Sequence, residues 1–132
     1  MKIETPDKAA EAREIRDALV AGNTRRAYQL FKPHWVERLD SIPINLHNGL
    51  IRHVLIGGEV GHFLTALLAN DLMETLSRAD PTSLANLWQL SVFLYNSTPP
   101  QCRGSYGKIT AWREDGGALG VYYDNADLEG AQ

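Results

Sequence analysis

The 132-residue chain has a single cysteine, Cys102. No internal disulfide and no cysteine-built metal cluster can form, which fits a reducing cytosol. Long apolar runs are missing as well. The greasiest stretch, around Phe63 to Ala69, falls far short of the roughly 20 residues a membrane span needs. The N-terminus alternates charge with alanine and has no apolar centre, so no signal peptide is expected. Basic excess is absent too. A net charge of −3 gives no electrostatic case for nucleic acid. There is no HExxH or HxxxH pair, no GxSxG elbow and no internal repeat at a fixed period. No catalytic, cofactor-binding or metal-ligating residue is therefore expected, and no cofactor.

What is present is ordinary for a globular domain: 44% hydrophobic and 22% charged residues. A chain of this length makes one domain that buries roughly two-thirds of its unfolded surface. Residues 61–76, GHFLTALLANDLMETL, organise the reading. At helical spacing Leu64, Leu68, Leu72 and Leu76 form one stripe, with Phe63 and Leu67 on a second. Ala66, Ala69 and Met73 cover much of the rest. A helix apolar nearly all round is buried by neighbours on several sides. We expect it at the centre of a compact all-α bundle of five or six helices.

Around it the punctuation is clear. Thr5-Pro6-Asp7 starts a helix that runs to about Ala21 and stops at Gly22-Asn23. Its narrow stripe is Ala12, Ile15 and Leu19. A second helix, about 24–32, carries Ala27, Leu30 and Phe31, and the two form an αα-hairpin. Residues 1–40 hold eight Lys/Arg and seven Asp/Glu, against two and four in residues 41–98. The first 40 residues thus read as a charged layer on a core made by 41–113. Pro43 restarts a helix to about Ile56, ended by Gly57-Gly58, with His47 in mid-face and His53 at its edge. Asp80-Pro81 starts another, about 81–96. Leu84, Leu87, Trp88, Ser91, Leu94 and Tyr95 share its inward face, leaving Leu90 and Phe93 opposite. Ser105 caps a last helix to about Arg113. Residues 114–132, with five acids and no base, read as a mostly loose tail in which 120–123 docks as an extended segment.

Few residues invite chemistry. His47 and His53, six apart, do not share a helix face, and Glu59-x-x-His62 begins in a glycine-rich turn. Cys102 beside Arg103 has a cation to lower its thiol pKa but no nucleophile signature. The turn Gly57-Gly58-Glu59-Val60-Gly61 leads into a helix, yet no strand precedes it and Glu59 repels phosphate. Arg25, Arg26, Tyr28 and Lys32 make a small basic patch that nearby acids cancel. Asn70, Asp71 and Asn96 read as capping and turn residues.

Residues 42–113 carry a motif set: Ile42-Pro43, Gly57/Gly58, Gly61-x-Phe63-Leu64-Thr65-Ala66, Asn70-Asp71-Leu72, Arg78-Ala79-Asp80, Phe93-Leu94-Tyr95-Asn96, Pro99/Pro100, Gly104-Ser105 and Trp112. This set resembles a family of short uncharacterised proteins encoded by bacteriophages and prophages. The resemblance implies a genomic context, the cytoplasm of a host bacterium, and no transferable activity. In that context we expect a module that binds a host or phage protein, in host takeover or a counter-defence role of the anti-CRISPR kind. Leu90 and Phe93 are the expected contact pair if the hairpin does not cover them, for a partner or a second copy of the chain. The alternative is a small-ligand binder or enzyme with a pocket near His47 and the Gly57–Gly61 turn. A DNA-binding regulator trails both.

Overall fold

Helix punctuation in the sequence becomes helix punctuation in space, with two breaks that periodicity did not mark. The structure, a computed structural model, describes residues 6–123. Helix α1 (Pro6–Val20) turns at Gly22, whose φ of 81° is left-handed, into α2 (Thr24–Phe31). The Asn23 side chain caps α2 by accepting from the amide of Arg26 at 3.2 Å. Ala12, Ile15 and Leu19 of α1 and Ala27, Tyr28 and Phe31 of α2 are buried, so the hairpin belongs to the core. The expected cap Thr5 lies outside the described residues.

Two 3-10 turns, Val36–Ser41 and Ile44–Leu46, lead into α3 (His47–Ile56), so the helix expected from Pro43 opens as a 3-10 turn and becomes α-helical only at His47. This is the buried helix of the molecule. Leu50, Ile51, His53, Val54 and Leu55 are all shielded from solvent, and α2 and α9 pack on it.

The expected central helix over 61–76 does not exist as one piece. Helix α4 (His62–Leu68) ends at Ala69, Asn70 takes a left-handed φ of 64°, and α5 (Leu72–Arg78) starts afresh. Asp71 caps α5 by accepting from the amide of Glu74 at 3.3 Å. Asparagine tolerates the left-handed region and aspartate favours the N-cap, so Asn70-Asp71 is a stop followed by a start. Leu64 and Leu68 are buried as expected, but Leu72, Met73 and Leu76 are exposed.

A second break changes the next helix. Helix α6 (Pro81–Ala85), capped by Asp80, ends at Asn86, where φ is −109° and the side-chain amide bonds the carbonyl of Thr82. Helix α7 (Leu87–Ser97) then buries a different arc from the one expected, keeping Leu94 inward but adding Leu90 and Phe93 and releasing Trp88 and Tyr95. Leu90, Phe93 and Leu94 are buried, while Trp88 is 74% and Tyr95 75% exposed. The Phe93 ring lies 6.2 Å from that of Tyr28, so the hairpin covers it. Leu90 and Phe93 are core residues and offer no surface to a partner.

After a 3-10 turn at Pro100–Cys102 come α8 (Tyr106–Glu114) and α9 (Gly117–Tyr122). The tail expected from 114 onward is folded as far as the description reaches. Residues 120–122 are helical rather than extended, and Ala118, Leu119 and Tyr123 belong to the core. Two glycines make this possible. Gly57 closes α3 with a φ of 69°, and Gly117 sits against it so closely that a Cβ on Gly117 would lie 2.4 Å from the Gly57 nitrogen. Loose composition misled here because backbone contact between glycines leaves no apolar signature. Residues 124–132 lie outside the described residues.

All described elements are helical, with more and shorter segments than five or six because of the breaks at Asn70 and Asn86, the 3-10 turns and the folding of α9. No helix among them is long and apolar enough to cross a membrane.

The glycine contact sets a stability prediction. Gly117→Ala must push α9 off α3 at a φ of 70°, and combined overpacking and strain should cost about 2–5 kcal/mol. Gly22→Ala has an equally positive φ but open space around it, and should cost only about 1–2 kcal/mol. Urea midpoints for the two variants check this; equal losses would mean the backbone contact is immaterial.

Candidate functional site

His47 is a core residue. Its Nε2 lies 3.1 Å from the carbonyl of Ile42, and the ring is 8% exposed. A groove of about 310 Å³ does adjoin the glycine turn, lined among others by Asn45, Glu59, Gly61 and Arg78. His47 does not line it. The two halves of the expected pocket are therefore separate.

His53, placed at a helix edge by periodicity, is the more deeply buried histidine. Its Nε2 lies 2.9 Å from the carbonyl of Cys102. A carbonyl only accepts, so Nε2 carries a proton and donates it to Cys102. Nδ1 has no protein partner among the described residues. Burial lowers the His53 pKa, and the nearby Arg113 charge lowers it further, against the opposing pull of the Cys102 carbonyl. This is a structural histidine held in its neutral form.

Cys102 is buried in the same region, and burial pushes its thiol up to about 11. Arg103 lowers it too little to matter, so the thiolate a nucleophile needs is not populated at neutral pH. Among the described residues no three His, Cys, Asp or Glu side chains converge on a metal position.

The small basic patch does not survive folding. Tyr28 is inside the protein, its hydroxyl donating to the carbonyl of Ser97, and Arg25 pairs with Asp40 at 2.9 Å. Tyr28, at 0% exposure, offers no ring to interleave with Arg25 and Arg26.

Besides the exposed Leu72, Met73 and Leu76 of α5, an apolar surface lies on α6 and α7. Leu84 on α6 is 52% exposed, and on α7 Trp88, Val92 and Tyr95 are exposed at spacings of four and three, a stripe on one face of that helix. Neither helix contains a charged residue. The polar groups beside the stripe turn inward to their own helix: Ser91 Oγ donates to the carbonyl of Leu87, and Asn96 Nδ2 to that of Val92.

At its Tyr95 end the stripe runs into a groove of about 320 Å³ between α4 and α7. Leu67, Leu68 and Leu94 line it with Ser91, Tyr95 and Arg103. The Arg103 guanidinium is fixed from two sides: Nε donates to Thr98 Oγ1 at 3.0 Å and Nη2 to the carbonyl of Tyr95 at 3.1 Å. Sequence reading missed this groove. Arg103 and its partners are five and eight residues apart across a proline turn, and no periodicity registers that.

Comparison with known protein families, with characterised proteins and with solved structures finds no match. The surface has to be read from its own chemistry.

The buried histidine makes a pH prediction. With its folded pKa below the ordinary value, the unfolded chain takes up the proton more readily. The stability tied to neutral His53 is complete above the unfolded pKa of about 6.5 and is lost as pH falls from there towards the folded value. The urea midpoint should therefore drop between pH 8 and pH values well below the unfolded pKa. His53→Gln keeps a neutral donor for Cys102 and should flatten that drop, even where it is less stable overall. An identical pH dependence in the variant would remove His53 as the cause.

Proposed function

We propose that this chain works by binding another protein, and that the contact is the α7 stripe of Trp88, Val92 and Tyr95 together with Leu84 of α6. One observation carries the reading: a large tryptophan and a tyrosine stand about three-quarters exposed on a helix without charge. Scattered apolar side chains on a surface need no explanation, but a contiguous apolar stripe is a mark of an interaction site. Tryptophan and tyrosine are also the residues that contribute most when an interface closes over them. The stripe takes over the role first assigned to Leu90 and Phe93, on the opposite face of the same helix.

The resemblance of residues 42–113 to phage- and prophage-encoded proteins gives this reading its context. In that setting the partner is a host or phage protein in the bacterial cytoplasm, and the outcome is host takeover or counter-defence. The absence of charge on both helices argues for an apolar partner surface rather than nucleic acid. The enzyme alternative loses its focus, because His47 and the Gly57–Gly61 turn do not share a groove.

Trp88→Asp places a charge in the stripe without disturbing the core. Its melting temperature should stay within about 2 °C of the unchanged protein, as surface substitutions away from packed features generally do. Affinity capture and sedimentation at matched concentrations should show that the variant loses both partner retention and any self-association. A partner retained in full by Trp88→Asp would end this assignment.

A further inference from the structure

The groove at the Tyr95 end of the stripe has a chemistry that the stripe lacks. Its walls are aliphatic, from Leu67, Leu68 and Leu94, and its one charged residue is Arg103. Among the described residues no carboxylate lies within ion-pair distance of that guanidinium. Asp71, next in the chain to Asn70 of the groove, is engaged twice, by the Tyr106 hydroxyl at 2.7 Å and by the Glu74 amide. Two of the three guanidinium nitrogens hold the fold, through Thr98 and Tyr95, and Nη1 is left without a protein partner among the described residues. Thr98 is itself anchored, its hydroxyl donating to the carbonyl of Leu94 at 2.6 Å.

A planar cation held at a known angle beside an apolar floor suits a carboxylate that carries an alkyl group. One guanidinium without a lysine suits a monoanion better than a phosphate. The exposed Asn70 amide at the rim adds a further polar group. We infer that this groove captures the chain-terminal carboxylate of a protein partner, with the partner's last, aliphatic side chain resting on the part-exposed Leu67, beneath which Leu68 and Leu94 are buried. The inference rests on the reading of α7 as a protein contact and names the segment of the partner that meets it. Continuity decides for a peptide end over a free small acid. Ser91 and Tyr95 belong to the groove, and the stripe leads away from it for about 10 Å of helix to Trp88, the reach of roughly three extended residues. Residues upstream of the partner's terminus have an apolar track to follow.

Backbone amide NMR of the full chain tests this with defined probes: N-acetyl-leucine, N-acetyl-leucinamide, and a blocked tetrapeptide ending in valyl-leucine with a free carboxylate. N-acetyl-leucine should shift resonances of Leu67 to Asn70, Ser91, Tyr95, Arg103 and Gly104, and the amide should not. The tetrapeptide should bind at least about tenfold more tightly and also shift Trp88 and Val92, because it covers the stripe. Ser91→Glu puts an anion into the groove at an exposed position that the core does not use. It should weaken both carboxylates by about tenfold or more while leaving the melting temperature in place. Arg103→Gln should weaken both carboxylates as well but also lower the melting temperature, since it removes the bonds to Thr98 and Tyr95, and Ser91→Glu covers the case in which it fails to fold.

Equal shifts from acid and amide would overturn the carboxylate inference. Shifts confined to the groove, with no gain for the tetrapeptide, would make it a small-acid site and overturn the peptide-end assignment. If the groove stays silent to every carboxylate while Trp88→Asp still abolishes partner capture, this inference fails and the stripe reading stands. If the carboxylates bind as expected but Trp88→Asp leaves partner capture intact, the stripe reading fails instead.

Discussion

The carbonyl oxygen of His53 holds the last turn of α3 to the C-terminal third of the molecule. It accepts the Gly57 amide at 3.0 Å within α3 and the Trp112 indole at 2.7 Å from α8. The ring of the same residue reaches the Cys102 carbonyl. One buried residue thus ties α3, the 3-10 turn at Pro100–Cys102 and α8 together through hydrogen bonds shielded from water. Breaking such a bond leaves a buried polar group without a partner, which costs more than the bond contributes when formed. Gly57 and Gly117 then meet backbone to backbone and bring α9 onto the same helix end. The glycines, the indole and the imidazole are one arrangement.

The other end of the core is set by the hairpin. Tyr28 is fully buried, its ring near Phe31, Trp35 and Phe93, and its hydroxyl bonded to the Ser97 carbonyl. Arg38 donates to the carbonyl of Asn96 and the hydroxyl of Ser97. Both contacts fall on the C-terminal turn of α7, whose carbonyls have no intrahelical partner, and both are favourable there. They fix the rotation of α7 about its axis. With Phe93 turned beneath Tyr28, Trp88 and Tyr95 have to face solvent. The proposed binding surface follows from how the hairpin packs.

Arg103 has a comparable role just beyond the end of α7. It satisfies the carbonyl of Tyr95 and the hydroxyl of Thr98, and its guanidinium carbon lies 5.6 Å from the centre of the Tyr95 ring. A side chain recruited to finish a helix end is thereby pre-organised beside an apolar groove. Structural hydrogen bonds and candidate recognition groups share the same atoms, so a substitution at Arg103 acts on both and Ser91 is the cleaner probe.

Much of the architecture was legible in the residues themselves. Pro6, Gly22-Asn23, Pro43, Gly57-Gly58, Asp80-Pro81 and Ser105 mark helix limits because each acts on its own backbone or on amides within one turn. The all-α class and the stripe of α1 follow from the same local chemistry. The break at Asn70-Asp71 was present in those terms too, but a run of leucines on either side outweighed it. What local chemistry does not contain is the direction in which a helix faces. Helix α7 has apolar residues around most of its circumference and no charge, so its pattern allows two arcs, and only Tyr28 and Arg38, over fifty residues earlier, choose between them. The folding of α9 onto Gly57 and the seat of Arg103 are likewise contacts between distant segments. Hydrogen bonds and ring contacts across such separations depend on three-dimensional placement, which a linear pattern of hydrophobicity does not encode.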